Sequence, residues 1–538
     1  MPFTMIIANL FIISYNIVCI IFNKYLFMKL SESINRKLGA FLSMFNMVMN
    51  MAMGLVYTPI CVRFLGNSEY GLITFAQSLI SYLSILDMGF GSAVVRYCSR
   101  AKEQGEDESV LYGFFLVLFS IIGVVALVLG LFLYGNLETT FSSGLSSHEL
   151  LKLKPIFLLL LINVVLGFPS GVFSSIVSSH EKFVFLRVSV ILKSLLTHLI
   201  NILVLFLGFR SITITFITVL FSLLVYCANV YYCFVRLHVK FKFARLDKCF
   251  YKDIISYSFF IFIGMLGGQL YDETDKIVLG KFVGSEEVAV YGIGVTFYTY
   301  FKLMALNITN VFFPMINKLS VGENSIEQLS KLFNRIARIL IVALGFILLG
   351  FTFFGKEFTI LWVGESYINS YWIALIIMIP NLVPWAQSLG TSILEALNKH
   401  RVNSIMYIVI AVINVIISIP LAIRFGGIGA ALGTAIGTIL GRWLFLNYYY
   451  DHSIGLDIKG FWKEFINIGV RFIPIVILFY GIKLIPVSLN WFTLIIKIIM
   501  SCFIALPYIY YFVFNQSEKS LFGGFLNKFK KNKGVCNG

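Results

Sequence analysis

The sequence predicts an all-α polytopic membrane protein with about fourteen transmembrane helices. Its 538 residues are 59% hydrophobic, with a mean hydropathy of +0.89, whereas soluble domains are roughly 45–50% apolar. Its apolar segments approach the ~20 residues that an α-helix needs to cross the hydrocarbon core. Strands are a poor alternative, because an isolated strand leaves its backbone polar groups unsatisfied in lipid.

An internal repeat predicts how these helices are grouped. Phe64 and Gly66 recur as Phe282 and Gly284, and Gly208 recurs at the same offset as Gly426. Two copies of one pattern along an apolar chain predict two homologous helical bundles. We therefore expect two six-helix bundles followed by two appended C-terminal helices.

The predicted helices follow one another with short loops. They lie at about 40–62, 72–95, 111–134, 155–177, 185–207, 211–235, 254–280, 287–316, 333–354, 367–396, 402–423, 427–449, 465–486 and 491–514. The predicted bundles are residues 38–252 and 253–452, the appended helices 453–516, and a basic tail 517–538.

Residues 1–37 form an N-terminal lead with two interpretations. The stretch from Pro2 to Phe22 is apolar enough to insert, yet it lacks the small-residue cleavage site of a signal peptide. It is either an extra first span, or Met28 is the true start. We favour Met28, because a polar, cationic segment follows it.

The net charge of +16 has a topological explanation. Lys and Arg concentrate in alternate loops, most densely between Arg236 and Lys252 and in the C-terminal tail. An excess of Lys and Arg marks cytoplasmic loops, so both termini are predicted in the cytoplasm if Met28 is the start. Nucleic acid is not needed to explain the charge.

Catalytic and metal-binding motifs are missing from the sequence. There is no Walker A motif, no HExxH and no GxSxG in a strand–turn–helix context. The eight cysteines are scattered without a CxxC pair, so we expect no metal site and no disulfide framework. We expect a protein that is not an enzyme and needs no cofactor other than a proton or sodium gradient.

Five motifs in order resemble the Wzx-like O-antigen and oligosaccharide flippases. They are RFLGNSEYGL (63–72), YLSILDMGFGSAVVRY (82–97), DKIVLGKFVGSEEVAVYGIG (275–294), EALNKHRVNSI (395–405) and FGGIGAALGTAIG (425–437). This branch belongs to the superfamily that includes the MATE drug exporters.

The resemblance implies both the fold and the function. It implies a MATE-like pair of bundles that moves an undecaprenyl-diphosphate-linked oligosaccharide, as for O-antigen or another surface glycan, from the inner to the outer leaflet. It further implies alternating access in a bacterial plasma membrane, contact with membrane lipid, and as partners a glycan polymerase and a chain-length regulator.

Cationic residues within predicted spans are candidates for the substrate cavity. A charge at the centre of a span costs at least ~2.5–3.5 kcal/mol, so each needs a reason. Lys302 is the strongest candidate, with Asn307 on the same segment; the alternative is an ion pair between bundles. Lys193, Arg96 and Arg442 are further candidates that could instead snorkel or anchor the topology.

The segment IPNLVPWAQSLG (379–390) adds polar candidates. Pro380 and Pro384 each remove a backbone donor and favour a bend. The freed carbonyls, Asn381 and Gln387 are therefore predicted to line the cavity, since irregular backbone at membrane depth is tolerated only away from lipid.

Four residues are candidates for ion coupling or gating. Asp87 is an isolated acid, and His198 titrates near neutral pH when unperturbed. Asp272 and Asp275 lie in a charged cluster where Asp272 and Lys276 have the spacing of a helical ion pair. The alternative for each is a structural hydrogen bond or ion pair.

Two other functions compete with the flippase. A cation-coupled multidrug exporter of the MATE branch is expected to carry acids in its cavity, whereas Lys302 and Lys193 add positive charge here. A polytopic glycan polymerase or acyltransferase is expected to carry a large Arg-rich outer loop or a His with an acidic partner, and neither is evident.

Overall fold

The computed structural model describes residues 32–244, 248–321, 324–397, 399–516 and 518–520, and these are helical throughout, without a β-strand. The first part of the chain contains α1 (Glu32–Ser84), α2 (Phe90–Gln104), α3 (Ser109–Gly135), α4 (Leu137–Phe141), α5 (Ser147–Ser179), α6 (Phe183–Phe206) and α7 (Ser211–Tyr231). The predicted lead at 1–27 and the end of the basic tail lie outside the described residues.

The second part continues as a chain of long and short helices. They are α8 (Lys248–Phe282), α9 (Ser285–Asn310), α10 (Phe313–Leu319), α11 (Ser325–Val363), α12 (Ile368–Ala386), α13 (Ser388–Ala396), α14 (His400–Thr438), α15 (Leu446–Tyr449), α16 (Ile458–Lys483) and α17 (Trp491–Tyr508). Short π-helical runs, Ile439–Phe445 and Tyr450–Ile454, flank α15.

The all-α membrane fold is confirmed. Within the described residues, 11 helical stretches are long and apolar enough to cross a membrane. Two of them, Ile34–Gln104 and Ser404–Ile454, have 71 and 51 residues, far more than the ~20 of one span, and each covers two predicted spans. The predicted span at 254–280 falls in α8, which is not among the 11, so the number fourteen stays a prediction.

Glycines set the bends where the sequence repeats. Gly66 interrupts α1 with φ 79° and Gly426 interrupts α14 with φ 58°. Their partners in the repeat, Gly284 and Gly208, also have positive φ, at 133° and 88°. Only glycine adopts such backbone readily, which explains why glycine stands at both copies of each turn.

A break at MGFG (88–91) separates α1 from α2 inside the predicted span 72–95. A 3₁₀ turn at Ile85–Asp87 is followed by left-handed backbone at Met88 (φ 48°) and Gly89 (φ 72°). Asp87 therefore lies on a turn rather than within a continuous helix, and it is half-buried.

The chain forms two compact units, each assembled from separate stretches. Of the described residues, the first unit comprises those up to Ile60, those of Gly89–Leu131 and those of Leu158–Ser258. The second comprises those of Cys61–Met88, those of Phe132–Phe157 and those from Phe259 onwards. In the first unit α6 packs on α7 through Val204, Ile217 and Phe221. The bundle boundaries at 252 and 452 stay predictions.

In the second unit, buried charges attach the appended helices to α11. Arg338 is 7% exposed and forms ion pairs with Glu464 of α16 and Glu518. Lys497 of α17 is also buried and lies 3.6 Å from Glu357. Because breaking one partner leaves a buried charge uncompensated, these pairs fix the position of the appended helices.

Candidate functional site

Lys302 forms an ion pair within the second unit. From α9, its Nζ lies 2.8 Å from Asp272 Oδ2 on α8 and 5.6 Å from the ring centroid of Trp385 on α12. Lys302 is therefore in an ion pair, but within one predicted bundle (253–452) and not between bundles as the alternative had it. The spacing of Asp272 and Lys276 is misleading, since Lys276 pairs with Glu273 at 2.8 Å.

Arg442 is enclosed by aromatic rings. It lies on the π-helical run after α14 and is 7% exposed. Its guanidinium carbon lies 4.7 Å from the ring centroid of Tyr407 and 5.4 Å from those of Tyr271 and Trp385. We name these three rings the aromatic box. Cation–π contacts stabilise a cation by about 0.5–2 kcal/mol each but use none of its five N–H donors.

Among the described residues, the close contacts of the Arg442 guanidinium are these three rings. The Asp272 carboxylate adds a more distant electrostatic attraction. A guanidinium removed from water without acceptors is costly, so an anion brought to this side chain would gain strongly. Arginine also presents a planar fork of donors that matches phosphate oxygens.

A hydrogen-bond network surrounds the aromatic box. The hydroxyls of Tyr271 and Tyr298 both reach Asn381 Oδ1, at 3.5 and 3.3 Å, and Asn381 Nδ2 donates to Ile377 O at 2.9 Å. Trp385 Nε1 donates to the Tyr298 hydroxyl at 3.2 Å. This fully buried Asn381 thus fixes the ring positions, which is a positioning role rather than an open cavity wall.

Gln387 and Arg442 border the same small cavity. It has a volume of about 30 Å³ and is also lined by Trp385, Tyr407 and Tyr450. Gln387 Nε2 donates to Asn447 Oδ1 at 2.6 Å, and its Oε1 is buried without a partner among the described residues. The space suits about one water molecule, not a sugar.

At the proline bend of α12, the carbonyl of Pro380 has no helical N–H donor, as predicted from the sequence. Pro384 has no N–H to donate to Pro380 O, and Trp443 Nε1 donates to that oxygen instead at 2.7 Å. The bend therefore joins α12 to the run that carries Arg442.

Asp275 forms a second buried polar group one helical turn from Asp272. It is 1% exposed, and its Oδ2 accepts hydrogen bonds from the Tyr291 hydroxyl at 2.6 Å and from Thr434. Its Oδ1 and Asn414 Nδ2 are both buried without a partner among the described residues. An unpaired carboxylate at this burial favours a bound proton or cation.

Three of the remaining candidates lie in the first unit. His198 Nδ1 lies 2.6 Å from Ser194 O, and its ring packs edge-on against Tyr57 at 4.8 Å. These contacts agree with a structural role for His198, which is the alternative to ion coupling. Lys193 is half-buried and Arg96 is exposed.

Asp87 and Asn307 belong to the second unit but are not part of the network just described. Asn307 Nδ2 donates to Leu303 O at 2.5 Å, which is a bond within its own helix. Of the predicted residues, the structure thus brings together Lys302, Asp272, Arg442 and Asn381 around Trp385, with Gln387 beside Arg442.

The sequence reasoning overlooked the aromatic box. Tyr271, Trp385 and Tyr407 lie on three different helices, and even the nearest two are more than twenty positions apart in the sequence. Aromatic residues are also frequent along the whole chain. A signal was nevertheless present in the two prolines beside Trp385, which mark irregular backbone.

A close-packed contact joins both copies of the repeat inside the second unit. Glu149 Oε1 accepts from Ser68 Oγ at 2.7 Å and from Ser285 Oγ. A Cβ at Gly71 would lie 1.9 Å from Ser285 O, and one at Gly144 would lie 2.5 Å from Gly280 O. We name this contact the glycine seam. The loops that form the glycine seam lie on the side opposite the Lys- and Arg-rich loops that are predicted to be cytoplasmic.

The fold resembles solved structures of flippases and exporters. The lipid II flippase MurJ in an inward closed conformation superposes with a TM-score of 0.67 at 17% identity, covering 88% of this chain and 97% of that chain. An inward-facing multidrug resistance MATE family transporter gives a TM-score of 0.56 at 16% identity, covering 78% and 95%.

Two curated proteins are similar in sequence. The "Uncharacterized membrane protein EpsK" of Bacillus subtilis (strain 168) is 22% identical over 414 residues, 73% of this chain and 77% of that protein. The "Putative O-antigen transporter" of Shigella flexneri is 22% identical over 373 residues, 69% of this chain and 87% of that protein.

A family model described as "Polysaccharide biosynthesis protein" matches residues 37–320, more than half of the chain. This agrees with the resemblance found in the five motifs and with the MurJ-like fold. The chain is a multi-span membrane protein that belongs to the polysaccharide biosynthesis family of transporters.

Proposed function

We propose that this protein is a flippase, not an enzyme, that moves a lipid-linked oligosaccharide carried on undecaprenyl diphosphate to the outer leaflet of a bacterial plasma membrane. Family membership and the likeness to an O-antigen transporter and to a lipid II flippase support this proposal. O-antigen or another surface glycan is the expected cargo, with a glycan polymerase and a chain-length regulator acting after it.

The observation that carries the proposal is the state of Arg442. A buried guanidinium held by three rings carries a planar fork of donors that is suited to a diphosphate. Lys302 has a carboxylate partner already, so we assign it a supporting role. A cationic drug, the cargo of the exporter alternative, would be repelled by Arg442.

Substitution of Arg442 tests this assignment. A hydrogen bond to a charged group contributes about 1.5–3 kcal/mol, so we expect Arg442→Ala to lower surface polysaccharide at least tenfold, with Arg442→Lys intermediate because the fork geometry is lost. Export would be measured in a deletion strain complemented at matched membrane levels of protein.

Arg471→Ala serves as the matched control. Arg471 of α16 donates to Phe512 O at 2.9 Å and is remote in sequence from the box. We expect near-normal export from this variant. Equal export by Arg442→Ala and Arg471→Ala would remove Arg442 from the substrate site.

We further propose that Asp275 binds the coupling proton or sodium ion. It is the most deeply buried of the four acid and histidine candidates and has one oxygen without a donor. Asp272 is neutralised by Lys302, and His198 is used in packing. Release of the ion would leave the Asp275 carboxylate charged and alter its bonds to Tyr291 and Thr434, which join α8, α9 and α14.

Asp275→Asn tests the coupling role, because it keeps the side-chain shape and removes the charge. We expect transport in proteoliposomes to lose its dependence on an imposed proton or sodium gradient. Asp87→Asn is the comparison, and we expect it to keep that dependence. Gradient dependence that survives Asp275→Asn but disappears in Asp87→Asn would transfer the coupling role to Asp87.

A further inference from the structure

Two cations approach the same indole ring in the second unit. Lys302 Nζ lies 5.6 Å from the centroid of the Trp385 ring, and the guanidinium carbon of Arg442 lies 5.4 Å from it. Like charges repel more strongly where water is partly excluded. The protein therefore needs a negative charge close to these two cations whenever it carries no substrate.

Asp272 supplies this negative charge. Its Oδ2 lies 2.8 Å from Lys302 Nζ, and its carboxylate also attracts the more distant guanidinium of Arg442. The three charged side chains come from α8, α9 and the π-helical run after α14. A diphosphate that binds at Arg442 would compete with this carboxylate, because both are anions that pair with the same cations.

The Asp272 carboxylate is in a position to change its partner. Among the described residues, it accepts a hydrogen bond from Lys302. The neighbouring carboxylate of Asp275, in contrast, is fixed by the hydroxyls of Tyr291 and Thr434. The side chains of Asp272 and Lys302 are 38% and 26% exposed. Water can therefore solvate the Asp272 carboxylate when it separates from Lys302.

Release of the substrate benefits from such a carboxylate. A transported group must bind favourably enough to enter the pathway and weakly enough to leave it. Two cations in a partly dehydrated site would hold a diphosphate tightly, because electrostatic attraction increases as water is excluded. A carboxylate that can return to Lys302 weakens this hold without any additional ligand.

We propose that Asp272 is an internal competitor of the substrate's diphosphate. It neutralises Lys302 before the diphosphate binds at Arg442, gives way to the diphosphate, and returns to Lys302 as the diphosphate leaves. This inference rests on the proposed flippase function and adds to it a residue that controls how readily the substrate is released.

The affinity of the purified full-length protein for inorganic pyrophosphate tests this role. Titration calorimetry in detergent at fixed ionic strength gives the dissociation constant. Asp272→Asn keeps the side-chain shape and removes the competing charge, so we expect pyrophosphate to bind about fivefold more tightly. Export of surface polysaccharide by the same variant should fall, because release is slower. If Asp272 were merely structural, its replacement would not tighten binding.

Glu273→Gln is the matched control, because it removes one negative charge at the next position of α8. The Glu273 carboxylate pairs with Lys276 at 2.8 Å and accepts a hydrogen bond from Ser78 Oγ at 2.7 Å. We expect the affinity of this variant to stay within about twofold of the wild type. Asp272→Glu, which keeps a carboxylate at this position, should likewise bind less tightly than Asp272→Asn.

The outcomes separate this proposal from the flippase assignment. Three results would overturn the competitor role alone, provided that Arg442→Ala weakens binding: no gain in affinity in Asp272→Asn, an equal gain in Glu273→Gln, or normal export by Asp272→Asn despite tighter binding. Absence of binding by the wild type, or binding that Arg442→Ala leaves unchanged, would overturn the diphosphate site at Arg442 and the competitor role with it.

Discussion

At the scale of single residues, Arg442 and Lys302 show how a partner changes the meaning of a buried cation. Both are cations within apolar helices, and depth alone favours Lys302. The structure pairs Lys302 with Asp272 at 2.8 Å, whereas the close contacts of the Arg442 guanidinium among the described residues are aromatic rings. The unpaired cation is the better anion-binding group, because its charge is not yet neutralised.

A double substitution separates the two roles of Lys302. We expect Lys302→Ala to reduce export strongly, since it leaves the Asp272 carboxylate without its cation. If the pair is mainly structural, Lys302→Ala with Asp272→Asn should recover at least part of the export that Lys302→Ala loses. Surface polysaccharide and the melting temperature of the purified variants are the two measurements. No recovery in the double variant would return Lys302 to direct substrate contact.

Which partners a residue has could not be predicted from the sequence. Apolar surroundings in the sequence mark Arg442 and Gln387 as polar residues within spans, whereas Asp275 lies in a charged cluster. Their contacts depend on residues far along the chain, such as Tyr271 for Arg442 and Thr434 for Asp275. Local spacing even misleads, since Lys276 pairs with Glu273 three positions away instead of Asp272.

At the scale of elements, glycine turns determine where long helices bend. Gly66 has φ 79° and ψ 171°, Gly284 φ 133° and ψ 171°, and Gly364 φ 107° and ψ 168°. This region of backbone space is essentially restricted to glycine. Apolar length predicts the helices well, and the recurring Phe-x-Gly pattern marks two of these turns, at Gly66 and Gly284. In the structure, non-helical backbone at Gly66 separates the two predicted spans that α1 contains.

Gly66→Ala tests the turn without a steric contribution, because a Cβ there has no atom within 4 Å. We expect a loss of about 1–3 kcal/mol in unfolding free energy from backbone strain alone. Gly350 of α11 is also open to a Cβ but has no positive φ, so Gly350→Ala should be neutral or stabilising by up to ~1 kcal/mol. Unfolding of both variants in detergent, followed by circular dichroism, checks this difference, and similar effects from both would contradict the strain argument.

At the scale of the whole molecule, the glycine seam joins residues from the two copies of the repeat. Gly71 and Gly144 allow backbone approach that any side chain would prevent, and Glu149 connects Ser68 to Ser285. A transporter that works by alternating access must open such a contact during its cycle. The repeat itself is visible in the sequence, whereas the seam is not, because it depends on long-range contacts.

A disulfide across the seam tests whether it opens. The Oγ atoms of Ser68 and Ser285 are 3.2 Å apart, so Ser68→Cys with Ser285→Cys should cross-link on oxidation. We expect cross-linking to stop export and a reductant to restore it, while each single cysteine variant exports normally. Export that continues after complete cross-linking would show that the seam stays closed throughout the cycle.

The central claim, that this protein flips a lipid-linked oligosaccharide, is tested most directly by locating that lipid in a deletion strain. Surface polysaccharide and the leaflet distribution of undecaprenyl-diphosphate-linked oligosaccharide would be measured in the same cells. We expect loss of the polymer at the surface with accumulation of the lipid-linked unit on the cytoplasmic face, both reversed by the wild-type chain and not by Arg442→Ala. Unchanged surface polysaccharide together with new sensitivity to cationic drugs would contradict the flippase and favour an exporter.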